Sequence, residues 1–89
     1  MNTLFLLLAR HNGLPVIPVD DVCADYFSHL TPEKFLRKVL AGEIALSIVR
    51  MEGSQKTAKG VPITDLAAYL DERIALARKE RDQLMRDVA

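Results

Sequence analysis

Two helix-forming patterns lie so close together in this chain that they have to pack as a pair. Val19, Val22, Cys23, Tyr26 and Phe27 recur at spacings of three and four, which puts them on one face of a helix. Asp20 and Asp21 fall in its first turn, where carboxylates meet unpaired amides and the positive end of the helix dipole. Thr31-Pro32-Glu33 then starts a second helix with a hydroxyl cap, a proline where no amide hydrogen is needed, and an acid in the first turn. Gly42 supplies the left-handed residue that ends this helix after Ala41. Only Ser28, His29, Leu30 and Thr31 separate the two, the short link of a helix-turn-helix.

The second helix divides into an apolar side, Phe35, Leu36, Val39 and Leu40, and a side carrying Lys34, Arg37, Lys38 and Ala41. Three cations on one exposed side are often just a solvated surface. On the second helix of such a pair, though, they occupy the element that enters the major groove of DNA. Ile44 to Arg50 reads as a strand, rich in β-branched and aliphatic residues. A polar loop from Met51 to Gly60 follows, and Val61 to Ile63 returns as a second strand. Pro62 has no amide hydrogen for a ladder, so the return strand is expected to be short or at an edge. This hairpin is the candidate wing, with Arg50 on its outgoing strand and Ser54, Gln55, Lys56 and Lys59 at its tip.

Thr3 to Ala9 is almost wholly apolar, which periodicity cannot assign; a buried strand is the expectation. Asn12-Gly13 marks a turn, and Pro15 and Pro18 keep the chain extended up to the first helix. The run Leu4 to Ala9 is not expected to be a signal peptide, because it has no basic leader and no small-residue cleavage pattern. Nor does any apolar run approach the ~20 residues needed to span a membrane.

At the other end, Thr64-Asp65 caps a long helix with an apolar stripe, Leu66, Leu70, Ile74 and Ala77, whose first half is expected to pack on the core. Beyond Ala77 the chain is charged, with only Leu84, Met85 and Val88 as large apolar residues, an interrupted stripe that makes a poor coiled-coil heptad. The division expected is therefore a DNA-binding domain over residues 1–77 and a helical tail over 78–89. That tail reads as a solvated helix, a frayed end or a partner-binding segment; Leu84, Met85 and Val88 stay exposed in it unless a second copy covers them, and a homodimer is the expected assembly.

The chain of 89 residues has room for one core, and with no Trp and few aromatics that core has to be mainly aliphatic. The formal net charge is +0, which excludes a nonspecific polycationic coat for nucleic acid. Its distribution is uneven: residues 28–60 hold six basic and three acidic groups, whereas residues 1–27 hold one and three. The single cysteine, Cys23, excludes an internal disulfide and a cysteine-based zinc site; it reads as a core residue and fits a cytoplasmic protein. No phosphate loop, metal-ligand spacing or nucleophile elbow is present, and His11 and His29 read as surface or capping residues. An enzyme is not expected, and neither is a cofactor or metal.

Several segments together resemble the pyocin activator protein (PrtN) family over nearly the whole chain. They are Thr3-Leu4-Phe5-Leu6-Leu7-Leu8-Ala9, Val16-Ile17-Pro18, Val22-Cys23-Ala24-Asp25-Tyr26-Phe27, Leu30-Thr31-Pro32-Glu33-Lys34-Phe35, Ser54-Gln55-Lys56 and Asp65-Leu66-Ala67-Ala68-Tyr69-Leu70-Asp71. The resemblance implies a DNA-binding activator that recognises short promoter boxes and switches on phage-tail-like bacteriocin genes, normally under a repressor linked to DNA damage. The tail after Ala77 matches least well. The layout also resembles the excisionase and AlpA-like winged modules of phages.

The fold expected is α+β, a small winged helix-turn-helix of the excisionase or MerR kind with an N-terminal strand and a long C-terminal helix. Its function is sequence-specific binding of double-stranded promoter DNA, with RNA polymerase as a further partner. Lys34, Arg37 and Lys38 would face the major groove, Arg37 best suited to a bidentate guanine contact. Lys56 and Lys59 would touch phosphates, Ser54 and Gln55 would add hydrogen bonds to the backbone or the minor groove, and Arg50 is counted with them among the DNA-binding residues. Two rival readings are an excisionase-like architectural DNA binder and a protein-interaction module that regulates another transcription factor.

Overall fold

Thr3–Arg10 forms a helix (α1) where the sequence pointed to a strand. The Asn2 side chain caps it, its Oδ1 accepting from the Phe5 amide at 2.7 Å. After Thr3 the segment holds no β-branched residue, only good helix formers and one Phe, so propensity favours the helix as well. Leu4, Leu7 and Leu8 turn inward while Phe5 and Leu6 remain exposed. Those two outward apolar residues are what hid the helical period. The computed structural model describes residues 2–88; Met1 and Ala89, the outermost residues of the expected domain and tail, lie outside the described residues.

The architecture among the described residues is α+β, four helices around a three-stranded antiparallel sheet. After α1 come strand β1 (Val16–Pro18), helix α2 (Val19–Tyr26), helix α3 (Pro32–Leu40), strands β2 (Val49–Arg50) and β3 (Lys59–Pro62), and helix α4 (Ile63–Val88). Sheet order is β1-β3-β2, with Ile17 opposite Val61 and Arg50 opposite Lys59. The return strand is short, as expected, but central rather than at an edge. Pro62 is tolerated there because β2 pairs only with Lys59 and Gly60 and ends before it. Gly60 is the tight point: a Cβ on it would lie 2.5 Å from Val16 Cγ1 and 2.8 Å from the Ile17 carbonyl oxygen.

The expected strand from Ile44 to Arg50 is paired only at Val49 and Arg50. Before that the chain is extended without a ladder, burying Ile44 and Leu46 and exposing Ala45 and Ser47. The apolar alternation is real, but it packs the segment on the core instead of placing it in the sheet.

α2 and α3 form where the sequence placed them. Thr31 Oγ1 accepts from the Lys34 amide at 3.2 Å, Pro32 sits in the first turn, and Gly42 adopts φ +76° just beyond Ala41. The fully buried side chains Phe35, Ile17, Leu66, Val22 and Val61 come from α3, β1, α4, α2 and β3, so five elements meet in one core. Phe27 stacks at a tilt on Phe35 and Tyr69, with centroids 5.0 and 5.8 Å away, which ties the helix pair to α4. Cys23 is buried in α2, and its thiol pKa is raised by burial and then by the nearby Asp20.

His11, read as a surface or capping residue, is the C-cap residue of α1 but only 8% exposed, with Nε2 3.6 Å from Asp25 Oδ2. Arg10 holds the same carboxylate through two guanidinium contacts at 3.0 and 3.2 Å. On α4, Leu66 is buried and Leu70 half-buried, so the first half packs on the core as expected, while Ile74 and Ala77 further along the stripe are exposed. Thr3 Oγ1 donates to Asp71 on α4, marking the last stretch where α1 accompanies it. Beyond, α4 projects as a free rod in a molecule 55 Å long and 18 Å thin.

Candidate nucleic-acid interface

The outer face of α3 follows from the geometry of a helix anchored by Phe35. At 100° per residue Arg37 lies about 160° round from that anchor, Leu40 about 140°, Lys34 about 100° and Lys38 only about 60°. Arg37 is therefore the centre of the solvent face and Lys38 its border. The side chains agree. Lys38 turns toward Glu43, with Nζ 3.8 Å from Oε1, and lines a cleft with Tyr26, His29, Tyr69 and Arg73 against α4. Lys34 and Arg37 stay on the outer face, where Arg37 makes only a loose i,i+4 pair with Glu33 at 3.7 Å. Between exposed groups such a pair is weak and easily exchanged for another anion or acceptor.

Leu40 is 69% exposed, although its apolar character had put it with the core residues. The angle from Phe35 was available in the sequence and would have separated it from Val39. Leu36, on the same edge of the helix, lines a groove shared with Pro18, Val19 and Asp20 on one side and Thr57, Ala58 and Lys59 on the other. The groove thus runs between α3 and the β2–β3 hairpin, the candidate wing.

In the wing, Met51 donates its amide to the Ala58 carbonyl at 3.1 Å and Thr57 to that of Ser54 at 3.3 Å, closing a compact tip. Ser54, Gln55 and Lys56 are all exposed on it. Lys59 behaves differently from its neighbours. It is half-buried, and its ammonium donates to the Gln55 carbonyl at 2.7 Å and that of Thr57 at 3.5 Å. Arg50 lies opposite it across the ladder and is exposed. Among the described residues Lys34, Arg50 and Lys56 form no ion pair, so these cations stand open to an outside anion.

Lys34, Arg37, Leu40, Arg50, Ser54, Gln55 and Lys56 are thus exposed on α3 and the β2–β3 hairpin, whereas Lys38 and Lys59 are half-buried and held by contacts of their own, Lys59 within the groove. Among the described residues no group of three or more His, Cys, Asp or Glu side chains is placed to hold a metal ion, and no helix is long and apolar enough to cross a membrane.

The family model described as pyocin activator protein PrtN matches residues 3–77. The chain belongs to that family. The matched span takes in α1, the helix pair, the β2–β3 hairpin and the first half of α4, the whole globular body described above. The projecting end of α4 lies outside it. No curated protein and no solved structure gives a match.

Proposed function

We propose that the chain is a sequence-specific DNA-binding activator of pyocin genes. Membership of the PrtN family supports the activator role, and the outer face of α3, centred on Arg37 beside a groove to the wing, carries the DNA-binding part of the reading. Arg37 leaves Glu33 for a guanine edge in the major groove, where a guanidinium makes two parallel hydrogen bonds. Leu40 offers an apolar contact for a thymine methyl group on the wing side of that arginine. Lys34, Arg50 and Lys56 meet phosphates, and Ser54 and Gln55 at the wing tip bond to the backbone, fixing register more than sequence.

One such head offers few base contacts on a protein of zero net charge, which is too little for specific affinity at physiological salt. The active unit in this reading is two copies on paired boxes, next to RNA polymerase as the partner that an activator serves. The reading is tested by mobility shift and footprinting on promoter DNA of the pyocin genes the chain would control. Protection of a discrete box, lost on base substitution, is expected; equal binding to unrelated DNA, or none, sinks it. Protection at phage attachment sites instead of promoters would favour the architectural alternative.

A further inference from the structure

Every residue from Asp71 to Val88 is exposed, yet α4 keeps a single apolar face along its full length. Ile63, Ala67 and Leu70 begin that face and pack on the domain's own core. It continues at alternating spacings of four and three as Ile74, Ala77, Leu84 and Val88, broken only by Arg81. The repeat is invisible in the tail alone and becomes a heptad once the buried half is joined to it. In the tail, Leu84 is 64% exposed, Met85 67% and Val88 86%.

We propose that a second copy of this chain covers this face, the two α4 helices lying antiparallel. Residues 71–88 carry five basic and five acidic side chains, so two copies meet without net repulsion. A nucleic acid or an anionic membrane would call for a basic excess instead. Orientation follows from the one charged residue in the seam. Parallel helices would stack Arg81 on Arg81 in a single layer. Antiparallel packing sets Arg81 over Ala77 of the second copy, where the small side chain leaves room for the aliphatic stem and the guanidinium reaches water. The same register brings Ile74 against Leu84 and places Arg73 beside Asp87, twice each by the two-fold symmetry.

The free stretch is about 27 Å long, which by itself reaches only the low end of specific interfaces. This surface is the means by which the paired copies of the proposed activator would be held, and its role rests on that reading, but the pairing itself does not require DNA.

The test is therefore made without DNA. Light scattering on the full chain at rising concentration is expected to reach about twice the 10.0 kDa of one chain. Leu84→Glu with Met85→Glu is expected to return it to 10.0 kDa while the thermal transition of the domain persists, since both side chains lie far from the core. On mild oxidation, mixed Ile74→Cys and Leu84→Cys chains should cross-link to each other and neither to itself; Cys23 is buried and does not compete. A full chain that stays at 10.0 kDa throughout overturns the proposal, as does a dimer that survives the double glutamate change. Self-cross-linking of Ile74→Cys overturns the antiparallel arrangement.

Discussion

The Lys59 ammonium lies 2.7 Å from the carbonyl oxygen of Gln55, so the cation on the return strand is folded onto its own loop. Lys56, between the two ends of the turn that Ser54 and Thr57 close, has no such partner and is open to phosphate. The two lysines should thus separate in a salt titration of DNA binding. Lys56→Ala is expected to flatten the slope of log affinity against log salt by about 1, as one lost phosphate contact does. Lys59→Ala is expected to lower affinity by loosening the wing while leaving the slope unchanged. A slope change of about 1 for Lys59→Ala would show that it leaves its carbonyls for the DNA.

On α3 the contrast is between Arg37 and Lys38. Arg37→Ala is expected to weaken specific binding by about 1–3 kcal/mol and relax the preference at one base. Lys38→Ala should change binding little, because that side chain turns toward Glu43 and the α4 cleft. Binding measured against an operator and its single-base variants checks both. A selective loss with Lys38→Ala and none with Arg37→Ala would mean that α3 lies on DNA rolled about its axis, with Lys38 rather than Arg37 facing the bases.

Asp25 links stability to acid. Arg10, hydrogen-bonded to it, holds its carboxyl pKa below the ordinary 3.8 against the opposing effect of burial, with His11 adding to the pull. A carboxyl depressed in the folded state contributes stability that is fully present above its unfolded pKa and is lost as pH falls through the folded one. Asp25→Asn is therefore expected to melt lower than the parent at pH 7, the gap closing below about pH 4. Melting curves across this range decide it; a constant gap would mean that the charge is irrelevant.

Gly60 has no room for a methyl group, since a Cβ there meets the backbone of Ile17 as well as Val16. Gly60→Ala is expected to cost about 1–3 kcal/mol, the range for overpacking. At this chain length that corresponds to a drop of roughly 4–8 °C per kcal/mol in melting temperature. Gly53, in the wing loop with open space around it, serves as the control, and Gly53→Ala should be close to neutral.

What could be read in the sequence was whatever local chemistry decides by itself. The Val19 to Phe27 face, the Thr31-Pro32 start and the Gly42 stop needed no tertiary information, and all three stand. α1 was misread because Phe5 and Leu6 are apolar yet exposed, and an all-apolar run has no period to read. Ile44 to Ile48 has strand chemistry but lies outside the ladder, since β2 pairs with β3 only at Lys59 and Gly60. On α3, the outward position of Arg37 was legible from helix phase. The sideways turns of Lys38 and Lys59 depend on Glu43 and on the curl of the wing, which only the folded chain brings near.

The placement of Cys23 makes the fold its own stopwatch. The thiol is shut into α2 and held protonated by burial, so an alkylating reagent can reach it only when the helix pair comes apart. With no other cysteine to label, the labelling rate of the untouched protein counts opening events of the core directly. Any ligand that clasps α2 and α3 together would register as a slower clock.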